Sequence, residues 1–90
     1  MNIIEAIRLG NLEEVKKEIA DGKDICFKNR ADWTLLHFAV YYGSFEIINE
    51  LISAGHNINA MDNARRTSLS YAMDYNSEEM IEYLKENGAV

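Results

Sequence analysis

Ninety residues, 48% of them hydrophobic and 27% charged, suffice for one small domain and leave little room for a large buried active-site cleft. The net charge of −6 argues against nucleic acid as the main partner, since neutralising phosphates takes a clustered basic surface. No apolar run approaches the roughly 18 residues a bilayer crossing requires, so no membrane partner is expected. The start, "MNIIEAIRLGNLEE", lacks the basic residues, long apolar stretch and small-residue cleavage site of a secretory signal. A cytoplasmic location is therefore expected.

In chain order, a first short helix containing Ala6 stops at Gly10, and a second opens at Asn11 and runs through Val15 toward Gly22. The same order then returns, one period of about 33 residues further on. Thr34 can cap a helix holding Leu35, Leu36, Phe38 and Ala39, and Gly43 stops it with a left-handed residue. A further helix opens at Ser44, where Ile47, Ile48, Leu51 and Ile52 form one apolar stripe, and Gly55 is placed to end it. An extended turn, "HNINAMDNARR", leads to Thr67 and Leu69, which repeat Thr34 and Leu36. Ala72, Ile81 and Gly88 continue the series, with Asn76 in the place of Gly10 and Gly43, and the last helix opening at Asn76 or Ser77. A helix pair and a turn in each such period is a solenoid unit.

These motifs resemble the ankyrin-repeat family along essentially the whole chain. The family's Thr-Pro-Leu-His-x-Ala is similar to "TLLHFA" at 34–39 and, more weakly, to "TSLSYA" at 67–72. Its pattern Gly-x-x-Glu-Val-Val-x-x-Leu-Leu-x-x-Gly-Ala matches "GSFEIINELISAGH", "GNLEEVKKEIADGK" and "NSEEMIEYLKENGA", and its Asn-Ala-x-Asp turn is intact at Asn59, Ala60 and Asp62. The resemblance implies an all-α fold, an ankyrin-repeat solenoid of stacked helix-turn-helix pairs joined by β-hairpin-like turns. The domain would span 1–90 in units of about 1–28, 29–61 and 62–90. Leu35 and Ser68 replace the family's proline, and Asp32 and Arg65 its turn glycine. Asp32 adopts a left-handed conformation at modest cost and Arg65 less readily, so the sequence leaves the geometry of the second hairpin around Arg65 open. Glu14 and Glu18 in the first unit, and Glu78 and Lys85 in the last, stand where the middle unit is apolar. They are expected to give the end units solvent-facing polar sides and the chain the form of a complete three-unit monomer.

The chain offers little to catalysis. No nucleophile is spaced to use His37, which in the resembled family ties neighbouring hairpins through backbone hydrogen bonds. Glu13, Glu14, Glu78, Glu79 and Glu82 sit in first helical turns, where acids favour the macrodipole and complete capping boxes. With a lone Cys26, read as a partly buried apolar residue, no glycine-rich phosphate loop and no zinc spacing, we expect no enzyme, no cofactor and no metal.

A partner surface is more legible. The resemblance places Leu36, Phe38 and Ala39 inside the stack and Trp33, Tyr41 and Tyr42 at variable positions used on the family's concave face. Tyr75 extends that stripe into the third unit, and Arg8 and Leu9 stand in the equivalent place in the first. Hairpin-tip residues Lys28, Arg30, Met61, Asn63 and Arg66 would line its edge. Tryptophan, tyrosine and arginine dominate interface hot spots because they join large contact area to directional polar groups. The second-helix segments concentrate the acids, Glu46, Glu50 and Glu86 among them, whereas Arg8, Arg30, Arg65 and Arg66 fall elsewhere. The expected partner is thus a protein that is acidic or of mixed charge, met by an aromatic front on a chain with an acidic back. The function expected is a non-enzymatic protein-interaction module. The alternatives are a structural, self-assembling solenoid and an inhibitor or immunity-type protein that blocks an enzyme or toxin.

Overall fold

The computed structural model describes residues 2–22, 29–75 and 77–90. Cys26, Lys28 and Asn76, each singled out from the sequence, lie outside the described residues. The described residues form six helices and no strand: α1 (Ile3–Leu9), α2 (Leu12–Ala20), α3 (Leu35–Tyr42), α4 (Phe45–Ser53), α5 (Ser68–Asp74) and α6 (Glu78–Glu86). They pair as α1 with α2, α3 with α4 and α5 with α6. Across pairs, α1 packs on α3, α3 on α5, and α2 on α4. One row of helices is thus continuous from end to end.

Capping explains where the helices begin. Asn2, Asn11, Thr34, Thr67 and Ser77 each accept a hydrogen bond from the backbone N–H three residues on, while Ser44 makes no such bond. At Thr34 the cap is reciprocal. His37 N–H donates to the Thr34 hydroxyl oxygen, and Thr34 N–H donates to His37 Nδ1 at 3.1 Å. The acidic first turns of α2 and α6 make no such box; the partner that completes this one is a histidine. Gly10 and Gly43 end α1 and α3 at φ 70° and 74°, a region open to glycine at little cost. Each then allows the chain to reverse into the next helix within two residues.

The core is the set of positions that recur from unit to unit. Val15 and Ile48 are fully buried, as are Leu51 and Leu84, and Ala6, Ala39 and Ala72 let the α1–α3–α5 row pack closely. The same register corrects the reading of Glu18. It occupies the position of Leu51 and Leu84, so its side chain is carried inward and remains only 9% exposed, whereas Glu78 and Lys85 are exposed as expected. Polarity at an end unit thus does not by itself place a residue in solvent.

The two described hairpin turns share one hydrogen-bond pattern. Asn29 Oδ1 accepts from Ala31 N and Trp33 N, and Asp32 N donates to Asn29 O. In register, Asp62 Oδ1 accepts from Ala64 N and Arg66 N, and Arg65 N donates to Asp62 O. Asn63 ties the turns together, its backbone N–H reaching Ala31 O and its Nδ2 reaching Arg30 O, both at 2.8 Å. The second turn repeats the geometry of the first: Asp32 and Arg65 are both left-handed, at φ 60° and 61°. The Asx anchor and the cross-turn bonds impose the conformation, and Arg65 bears its steric cost. Arg65→Gly is therefore expected to raise stability by about 1 kcal/mol, read as a higher urea midpoint with an unchanged slope.

His56 follows α4 at the position that Ala89 fills one unit later, and both donate their backbone N–H back into the preceding helix. Its Nε2 is buried with no hydrogen-bond partner among the described residues, and burial holds the ring's pKa below its ordinary 6.5. The unfolded chain accepts that proton more readily, so this group removes stability as pH falls below 6.5. Comparing urea midpoints at neutral and mildly acidic pH, His56→Ala is expected to lose less stability than the parent; equal losses would contradict the assignment.

Candidate partner-binding surface

The face of the α1–α3–α5 row is built around Trp33, which leaves the first hairpin just before the Thr34 cap. Its half-buried ring lies 5.9 Å from His37, 5.0 Å from Phe38, 5.7 Å from Tyr41 and 5.1 Å from Tyr71, centroid to centroid. Its Nε1–H is shared between Asp62 Oδ2 and the Tyr71 hydroxyl, each at 3.2 Å. Tyr41 then meets Tyr75 at 5.4 Å, and Tyr75 meets Tyr71 at 6.2 Å, closing a circuit of four rings across α3 and α5. Tyr42 joins edge-on to Tyr41 at 5.0 Å. Such edge-to-face contacts favour particular ring orientations, so the tyrosines are arranged before anything binds them.

Asp62 anchors this cluster from beneath. It is 7% exposed, and its two carboxylate oxygens accept four hydrogen bonds: from Ala64 N, Arg66 N, Trp33 Nε1 and the Tyr71 hydroxyl. Burial alone would raise its pKa. The bonds from Tyr71 and from the Arg66 and Ala64 backbone, aided by the His37 ring, outweigh burial and hold the carboxyl below its usual range. Burial first, then the bond to this carboxylate, pushes the Tyr71 phenol up. Tyr71 therefore stays a neutral donor.

His37 completes the link between hairpins. Because Nδ1 accepts the Thr34 backbone N–H, the ring proton belongs on Nε2, which donates to Arg66 O at 3.0 Å. The imidazole is 1% exposed, with both nitrogens engaged. It is a structural strut and not an accessible base.

Of the residues singled out from sequence, Trp33, Tyr41, Tyr42 and Tyr75 come together directly. Arg66 joins through Tyr71, its guanidinium lying 5.4 Å from that ring while it pairs with Asp74. Arg8 is exposed on α1, in an ion pair with Glu5 and apart from these ring contacts. Arg30 and Met61 are exposed at the hairpin edge, and Arg30 takes part through its carbonyl. Two residues of the cluster were not anticipated as site residues, Tyr71 and Asp62. The signal for Tyr71 was available, because it stands one period after Phe38, also aromatic and also in contact with Trp33.

Three helix pairs, reciprocal turns and a histidine strut joining hairpins are what the repeated motifs require, and the sequence model of ankyrin repeats matches residues 3–90 in three copies. The chain belongs to the ankyrin-repeat family. Ankyrin repeats are in general non-enzymatic modules that bind other proteins. A search of curated proteins returns no match for this ankyrin-repeat chain. Among its described residues no helix is long and apolar enough to cross a membrane, and no group of three or more His, Cys, Asp or Glu could hold a metal ion.

Proposed function

We propose that this ankyrin-repeat protein is a cytoplasmic, monomeric, non-enzymatic adaptor that binds a protein partner on its concave inner-helix face. Tyr41, Tyr42 and Tyr75 form the contact surface. Trp33 orders them from below, and Arg30, Arg66, Met61 and Arg8 line the margin. The single observation that carries the reading is exposure combined with fixation: Tyr41, Tyr42 and Tyr75 are 49%, 41% and 50% exposed, yet held by ring contacts spanning two repeats. Preset aromatic side chains lose little conformational freedom on binding, which favours affinity. The arginines at the margin suit a partner that is acidic or of mixed charge.

Trp33 is half-buried and bonded to Asp62, so removing it disturbs the fold and is a poor probe of binding. The better test replaces exposed rings. In affinity capture from the source organism's lysate, Tyr41→Ala and Tyr75→Ala are each expected to weaken retention of the partner by about tenfold while far-UV circular dichroism is unchanged. Retention equal to that of the parent by the folded double variant would refute this site.

A further inference from the structure

The opposite side of the molecule carries a second feature, unrelated to the aromatic cluster. A groove of about 400 Å³ runs over α4 between the outer helices, lined by Leu12, Phe45, Glu46, Asn49, Glu50 and Tyr83. Its floor is apolar and fixed: Leu12, Phe45 and Tyr83 all pack against the core, and the rings of Phe45 and Tyr83 meet perpendicularly at 5.3 Å across α4 and α6. Its wall is anionic. Glu46 and Glu50 lie one helical turn apart, and among the described residues no cation lines the groove and neither carboxylate is in an ion pair. Like charges at this spacing repel within a helix, a cost the free protein bears and a bound cation removes.

We propose that this groove is a second docking site, for a basic segment of a partner protein that places an apolar side chain on Phe45 and Tyr83 between lysines or arginines facing Glu46 and Glu50. Charge complementarity selects this occupant. A pocket of this volume accepts an apolar anchor, and the paired carboxylates at its wall reject the acidic partners suited to the other face. The two faces then recognise partners of opposite charge, so one chain can bridge them.

The test titrates the full chain, labelled for amide NMR, with a short capped peptide alternating lysine and leucine. Two control peptides substitute serine for leucine or glutamate for lysine. The Lys/Leu peptide is expected to shift the amides of Phe45, Glu46, Asn49, Glu50 and Tyr83 and to leave Tyr41 and Tyr75 in place. Binding should weaken about tenfold in Glu46→Lys/Glu50→Lys and be far weaker for both control peptides. The same variant exchanges one like-charged pair for another and loses an acid from the first turn of α4, so it should be somewhat less resistant to urea. Glu46→Gln/Glu50→Gln, which does relieve the repulsion, should weaken binding in the same direction with an unchanged far-UV circular dichroism spectrum, which separates loss of binding from loss of fold. Undiminished binding by either variant, equal binding of the Lys/Ser peptide, shifts spread over the whole acidic side, or no binding would each overturn the proposal. Self-association of the free chain that either variant abolishes would assign the groove to a second copy and overturn it as well.

Discussion

Leu36→Ala is expected to cost about 3–5 kcal/mol, enough to leave much of a small repeat protein unfolded at room temperature. Leu36 is 1% exposed on α3, which packs against its pair partner α4 and against α1 and α5 on either side. Deleting three carbons there leaves a cavity in the helix pair that both neighbouring pairs pack against, and stability in a repeat stack is carried by contacts between neighbours. Leu69, at the equivalent position of the next unit, is 6% exposed and lies on the last helix of that row. Leu69→Ala is expected to cost less. Urea unfolding followed by circular dichroism makes the comparison; equal costs, or a Leu36→Ala cost below about 1 kcal/mol, would mean that the middle pair is not the structural centre.

Asp62→Ala is expected to cost about 2–4 kcal/mol, because four donors lose their acceptor in a partly closed site. Ala64 N and Arg66 N lose the bonds that shape the second turn, and Trp33 Nε1 and the Tyr71 hydroxyl lose the bond that positions the aromatic cluster. Asp62→Asn should be milder. Asn29 serves the same backbone role in the preceding turn, so an amide oxygen can hold Ala64 and Arg66 while the other two donors lose their carboxylate. Trp33 is the sole tryptophan, so its fluorescence reports this locus directly, and a red shift is expected in both variants. The carboxyl's lowered pKa also fixes a pH sign: its stabilisation is present above the unfolded carboxylate pKa and lost as pH falls through the lower folded value. Asp62→Asn should thus flatten the acid limb of the stability curve, below the window in which His56 acts.

The repeat was legible because its punctuation is chemical: glycines one period apart need positive φ, and threonine, serine and asparagine caps mark helix starts. The period links Tyr42 to Tyr75, and the family resemblance adds Tyr41 to the same face. The period also held information that was easier to see afterwards, in Glu18 standing at the position of two core leucines and Tyr71 standing at that of Phe38. The turn around Arg65 was not legible because local propensity opposes positive φ, whereas a shared Asx anchor and the bonds between turns decide it. Asp62 reads as a turn residue, and only the assembled stack shows that Trp33 and Tyr71 converge on its second oxygen. The outer groove had no sequence signature, since Tyr83 is not in register with Leu12 and Phe45 and meets Phe45 only through tertiary packing.

The central claim, that a protein partner sits on the aromatic inner-helix face, is tested most directly by photo-crosslinking in cells of the source organism. A photoreactive phenylalanine analogue would replace Tyr41 or Tyr75 on that face and, as the control, exposed Lys85 on α6. Covalent adducts to the same partner from Tyr41 and Tyr75, and none from Lys85, are the predicted result. Adducts to the main partner from Lys85 alone would contradict it.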